Sequence, residues 1–151
     1  MPTTFNVISL GVQADIDTTE GNTTAENASA LVGLTFGGIG NSLNEQIQTL
    51  SPGSTGFAGG TSTAYDMNNS PAETFRINGG PEQTFDGTSI YNATITYTDG
   101  STANITAVLF QDTAGNTYLA PEFTANPDMT ALQAGPIRSL TLDSLFGKSF
   151  L

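Results

Sequence analysis

Ser89-Ile90-Tyr91-Asn92-Ala93-Thr94-Ile95-Thr96-Tyr97-Thr98-Asp99-Gly100-Ser101-Thr102-Ala103-Asn104-Ile105-Thr106-Ala107-Val108-Leu109-Phe110-Gln111 alternates apolar and polar side chains on both sides of an Asp-Gly pair. A period of two is the signature of half-buried strands, and the central turn residues make the stretch a hairpin. Its register follows from keeping one face apolar. A two-residue Asp-Gly turn would set Tyr97 opposite Thr102 and Ile95 opposite Asn104, mixing the faces. A three-residue loop of Thr98, Asp99 and Gly100 sets Ile95 opposite Ala103 and Ala93 opposite Ile105, and a one-residue slip would reverse the faces. The expectation is a type I turn with a bulge at Gly100 in the left-handed region. The remaining face is then a ladder of Asn92, Thr94, Thr96, Thr102, Asn104 and Thr106, whose ordinary role is to face solvent.

The rest of the chain repeats this texture. Residues 5–10 and 31–36 read as strands, and residues 73–77 pair with 61–67 across Asn68-Asn69-Ser70-Pro71. Residues 117–120 and 137–142 read as later strands, and residues 13–28 and 121–136 as loops. Leu43, Ile47 and Leu50 fall at i, i+4 and i+7 after Asn41-Ser42, which predicts a short helix over 43–50. The fold class is therefore all-β: an antiparallel β-sandwich, jelly-roll-like or Ig-like, with about 8–9 short strands and at most one or two short helices. Residues 1–151 form one domain, and its terminal segments are candidates for exchange between subunits.

Composition excludes more than it identifies. Among 151 residues there are 14 acidic and 3 basic side chains, a net charge of −11, and no His, Cys or Trp. That removes disulfides, thiolate metal sites, a cysteine nucleophile and the Ser-His-Asp arrangement. Arg76, Arg138 and Lys148 are too few to neutralise a phosphate backbone, so nucleic acid is not an expected partner. Thr, Ser, Asn and Gly make up 65 of the 151 residues, which suits pleated strands and tight turns. No stretch approaches the ~18 apolar residues of a membrane-spanning helix. Residues 1–8 lack a basic region and a long apolar core, so no secretory signal peptide is read there. The expected location is extracellular or at the cell surface, reached without a cleaved N-terminal signal.

Three kinds of chemistry remain open. Asp15, Asp17 and Glu20 crowd one loop with hard oxygen ligands of the kind Ca²⁺ takes, although the spacing is not that of an EF-hand. A solvated acidic loop is the ordinary reading of the same residues. Glu73, Asp86 and Glu122 adjoin Phe75, Phe85 and Phe123, where a carboxylate pKa could rise, so a His-independent glycosidase using a carboxylate pair is a third option. Phe5 and Val7 at one end and Phe150 and Leu151 at the other are apolar candidates for strand exchange between copies.

Several runs resemble the N-terminal segment of secreted proteins of marine alphaproteobacteria that carry Hint (hedgehog/intein-type) domains. They include Phe5-Asn6-Val7-Ile8-Ser9-Leu10-Gly11, Leu31-Val32-Gly33-Leu34-Thr35-Phe36-Gly37, Tyr65-Asp66-Met67-Asn68-Asn69 and Phe110-Gln111-Asp112-Thr113-Ala114-Gly115-Asn116. The resemblance implies an exported, non-enzymatic β domain and transfers no catalytic residue, because Hint chemistry needs a nucleophile and a Thr/His pair. The function expected from these readings is an extracellular structural β domain that self-assembles into a filament or surface layer. The alternative is a Ca²⁺-dependent glycan- or surface-binding module.

Overall fold

The computed structural model describes residues 5–16, 27–38, 40–52, 74–120, 131 and 134–147. Eight strands lie among them: β1 (Phe5–Val12), β2 (Thr35–Gly37), β3 (Ile47–Pro52), β4 (Thr74–Ile77), β5 (Glu82–Tyr97), β6 (Thr102–Asp112), β7 (Asn116–Leu119) and β8 (Ile137–Gly147). Two 3-10 turns, Ala28–Leu31 and Leu43–Glu45, complete the elements. The chain is all-β, antiparallel and sandwich-like, with two cores on opposite faces of one connected sheet. Three strands are long rather than short: β5 has 16 residues, and β6 and β8 have 11 each. No helix among the described residues is long and apolar enough to cross a membrane.

The hairpin forms in the expected register. Ile95 pairs with Ala103 and Ala93 with Ile105, and Gly100 sits at φ +90°. Gly100 N–H donates to the Tyr97 carbonyl at 3.0 Å, and Tyr97 N–H donates to the Ser101 carbonyl at 2.8 Å, closing the three-residue loop. Asp99 finishes the turn by accepting from the Ser101 N–H at 2.9 Å and from the Ser101 hydroxyl. These hydrogen bonds hold the Asp99 carboxyl below its ordinary pKa. A folded-state pKa below the unfolded one makes the turn most favourable above the usual carboxylate range, with that contribution lost as pH falls through the folded value. An NMR titration is expected to give Asp99 a lower midpoint in the protein than in the Ser101→Ala variant, and equal midpoints would refute the contact.

The hairpin is the trunk of the sheet. β5 pairs with β6 through Phe85 to Thr96 and with β8 through Ile90 to Tyr97, so these two strands flank opposite edges of β5. Ahead of β8, residues 82–84 of β5 pair with β4. From β4 the pairings run to β3, β1, β7 and β6 and back to β5, a closed circuit of six strands. Every strand gives this circuit a side chain. Val7, Leu50, Phe75, Phe110 and Tyr118 form its apolar core, and Gln83 of β5 donates to the Tyr118 hydroxyl at 2.9 Å. Phe75 meets Phe110 and Tyr118 edge-on, with centroids 5.8 and 6.0 Å away, while Phe110 and Tyr118 stack at 5.3 Å.

Neighbouring residues on the same strands face the second, larger core, as the pleat requires. Leu109, Leu119 and Leu10 join Tyr91, Ala93, Ile95, Leu140, Leu142 and Phe36 there. β8 reaches this core through a register shift. Thr96 pairs with Ser139 and Tyr97 with Ile137, so Arg138 bulges outward and donates to the Thr98 carbonyl at 2.7 Å. The bulge lets both Ile137 and Leu140 face inward, which simple alternation over 137–142 does not allow.

Two expectations are overturned. Residues 31–36 do not form a continuous strand: Leu31 ends a 3-10 turn, Gly33 takes φ +90°, and only Thr35–Gly37 pairs with β8. Leu31 is buried because the Tyr91 hydroxyl, donating to the Ala28 carbonyl at 2.8 Å, holds that turn against the large core. Residues 43–50 are not a helix: Leu43 to Glu45 is one 3-10 turn, and Ile47 onward is β3. Leu43 enters the large core and Leu50 the small one, while Ile47 is 52% exposed, so the helical spacing joins residues with different destinations. Residues 61–67 lie outside the described residues, and β4 pairs instead with β3 and β5.

Candidate functional site: a groove between two strand edges

The sheet has a second path, β1-β7-β6-β5-β8-β2, that curls around the large core. It is open in one place. β2 pairs only with β8 among the described residues, and β1 pairs with β3 only through Phe5 to Ile8. The β2 edge at Thr35 to Gly37 and the Ser9 to Gly11 stretch of β1 line the same groove of about 380 Å³. Leu10, Phe36 and Leu43 supply its apolar lining, and each is more than nine-tenths buried. Gln13 and Gln46 stand beside them, so the lining is polar and apolar without a charge. Gln13 Nε2 is tied to the Leu10 carbonyl at 2.8 Å, and the Gln46 carbonyl accepts from Ser9 N–H at 3.0 Å.

Gly37 keeps the groove in shape. Its φ is +79°, and a Cβ there would lie 2.4 Å from the Arg138 carbonyl oxygen and 2.8 Å from Leu43 Cγ. Gly37→Ala is therefore expected to lose at least about 1–2 kcal/mol through the left-handed backbone alone. The steric overlap also moves the Leu43 turn off β8. Thermal melting with NMR shifts at Leu43 and Arg138 checks this, and an unchanged melting temperature would contradict the close approach.

The polar ladder is assembled as expected and is wider than the hairpin. Across β6, β5, β8 and β2 the registers align Asn104, Thr94, Thr141 and Thr35 in one row. Thr106, Asn92 and Ser144 form another, and Thr102, Thr96 and Ser139 a third. Thr94 Oγ1 bonds to Asp143 Oδ2 at 2.7 Å, Asn92 Nδ2 donates to Ser144 Oγ at 2.9 Å, and the Thr35 and Thr141 hydroxyls are 2.8 Å apart. A shallow recess of about 410 Å³ lies among Asn92, Asn104, Thr106 and Asp143.

Among the other candidate residues, Phe5, Val7, Asp15 and Asp86 are described. Asp15 is exposed after β1, with its carbonyl oxygen accepting from Asn27 Nδ2 at 2.9 Å. Asp17 and Glu20 lie outside the described residues, and no group of three or more His, Cys, Asp or Glu side chains arranged for a metal occurs among those described. Val7 is not an assembly contact in the folded chain: it is buried in the small core, and β1 is held by both β3 and β7. Phe5 begins β1 opposite Leu50, while Phe150 and Leu151 lie outside the described residues. Asp86 is buried at the β5 bulge, and Glu73 and Glu122 lie outside the described residues.

Asp112 is a structural clamp. It accepts from the backbone N–H groups of Ala114 and Asn116 at 3.0 and 2.8 Å and from the side chains of Asn116 and Gln83, both at 2.7 Å. Burial raises the pKa of the nearby Tyr118 phenol, with the Gln83 hydrogen bond acting in the opposite direction. The groove itself escaped the sequence reading, because its walls are 24 or more residues apart and neither carries a motif. No family model matches the chain, and comparison with curated proteins and with solved structures gives no match either.

Proposed function

We propose that this chain is a non-catalytic structural β domain that self-associates through its open strand edges, as the subunit of an extracellular filament or surface layer. The observation that carries the reading is the uncharged groove between the β1 and β2 edges. Unpaired strand edges pair with other chains unless they are blunted by charge, proline or a covering element. Here the walls carry no charge in a chain with a net charge of −11. Further support comes from the outer edge of β8 beyond Leu142, which takes no strand among the described residues and displays Phe146 at 55% exposure. The absence of His and Cys from the sequence agrees with a non-catalytic role, as does the resemblance to segments that precede Hint domains.

Size-exclusion chromatography with light scattering and negative-stain imaging test the reading. Concentration-dependent oligomers or filaments are expected, and a monomer at high concentration, with and without Ca²⁺, overturns it. The recess among Asn92, Asn104, Thr106 and Asp143 favours a second reading, a glycan- or surface-binding module, because amides, hydroxyls and one carboxylate can bond sugar hydroxyls in both directions. Calorimetry with neutral polysaccharides, with and without Ca²⁺, addresses it, and absent heat under both conditions removes it.

A further inference from the structure

We propose that Asn78 is a self-modification site: its side-chain amide is attacked by the backbone nitrogen of Gly79, loses ammonia and becomes aspartate or isoaspartate as the folded chain ages. The inference is independent of the self-association reading.

Sequence supplies the pair. Asn78-Gly79 is the one Asn-Gly in the chain. A side chain on the following residue crowds the approach of its backbone nitrogen to the asparagine Cγ, and glycine has none. The fold then sets the pair in the open. Both residues are exposed in the turn between β4 and β5, which Gly80 N–H closes by donating to the Ile77 carbonyl at 2.9 Å. Asn78 takes φ +53°, the one non-glycine residue in the left-handed region among those described, and Gly79 follows at +70°. A Cβ built on Gly79 would meet nothing within 4 Å, so the space beside its nitrogen is open.

Each reacting atom is prepared. Gly79 N–H donates to no backbone carbonyl among the described residues, which leaves the attacking nitrogen to solvent. Thr49 N–H donates to Asn78 Oδ1 at 2.9 Å, and this is the oxygen on which negative charge develops when Cγ is attacked. Asn78 N–H donates to the Thr49 carbonyl at 2.8 Å, so β3 holds the residue without engaging Nδ2, the leaving group. Other asparagines lack this combination. Asn92 lies inside β5 with strands on both sides, and its Nδ2 is bonded to Ser144. Asn104 and Asn116 are followed by the β-branched Ile105 and Thr117.

The balance needs only water. The bond from the Gly79 nitrogen to Asn78 Cγ forms, the Cγ–Nδ2 bond breaks, and the proton of the Gly79 amide leaves with Nδ2 as ammonia. The cyclic imide then takes up one water. Cleavage at Cγ gives aspartate. Cleavage at the main-chain carbonyl gives isoaspartate, which routes the backbone through Cβ and Cγ and lengthens the turn. That change reaches β3, because the carbonyl that accepts from Thr49 has then become part of the main chain.

The test incubates the folded chain in mildly alkaline buffer and follows each asparagine by peptide mapping with mass spectrometry. An Asn78→Asp chain is the standard for the aspartate product. Asn78 is expected to convert at least about tenfold faster than Asn92. Isoaspartate should appear beside aspartate, more slowly in mildly acidic buffer, where less of the Gly79 amide is deprotonated. NMR of the converted chain should show a shifted Thr49 amide with faster hydrogen exchange. Conversion of Asn78 no faster than that of Asn92 overturns the proposal. Conversion in urea but not in the folded chain also overturns it, since the two bonds to Thr49 would then protect the side chain. Aspartate without isoaspartate rules out the cyclic imide and with it the attack by Gly79.

Discussion

Phe75→Ala is expected to be the most damaging single substitution in the small core, costing about 3–5 kcal/mol. Phe75 is fully buried and lies edge-on to both Phe110 and Tyr118. Truncation removes the apolar burial and both ring contacts, and the closed circuit of strands around it limits collapse into the void. Domains of this kind have ~5–15 kcal/mol in total, so the loss takes a large fraction of the stability. Urea unfolding should show a lower midpoint with little change in slope, whereas Phe75→Leu should cost less than about 1.5 kcal/mol if volume is what matters. A Phe75→Ala midpoint within experimental error of the parent would mean that the six-strand circuit does not enclose a packed core.

Gln111→Leu is the second large effect, because it removes a buried polar clamp without changing the volume much. The Gln111 side chain is fully buried on β6. Its Oε1 accepts from Ile16 N–H at 2.9 Å, and its Nε2 donates to the Ala14 carbonyl at 2.7 Å and to Thr117 Oγ1 at 3.0 Å. Thr117 keeps its own hydrogen bond to the Gly115 carbonyl, so leucine orphans two backbone groups, those of Ile16 and Ala14. At about 1–3 kcal/mol for the orphaned, buried Ile16 N–H, with the exposed Ala14 carbonyl able to turn to water, the expected cost is about 1–3 kcal/mol. Hydrogen exchange at the Ile16 amide should accelerate more than at Leu109, which the substitution leaves within its ladder. Gln111→Glu adds a discriminating case, since a carboxylate still accepts from Ile16 but cannot donate to Ala14. Equal exchange at Ile16 in all three proteins would show that the clamp does not hold this segment.

What could be read in advance depended on how local its cause was. The hairpin was legible because its turn, alternation and apolar face all lie within 89–111, and register had one answer that kept the faces apart. The polar ladder followed from the same argument, but its extension to Thr141 and Thr35 did not, since β2 and β8 are about a hundred residues apart in sequence. Leu31 looked like a strand residue because Val32 and Leu34 flank it, yet the turn that buries it depends on Tyr91, 60 residues later. The spacing of Leu43, Ile47 and Leu50 imitates a helix only because three unrelated environments fall at helical intervals. A groove between two edges is a property of the assembled sheet, so no pattern in either wall announces it.

The closed circuit also sets an order of events when the chain is made or threaded from its N-terminus. β1 emerges first, but its partners are β3 and, more than a hundred residues later, β7. Until residue 119 is available, one edge of β1 has no native partner, and Val7 waits for Phe110 and Tyr118 to complete its surroundings. Closing loops of that length is entropically slow, and it places most of the search late in folding. Between emergence and closure, this strand is the segment most open to pairing with a neighbouring nascent chain, so its capture by the wrong partner is a hazard of synthesis rather than of the finished fold.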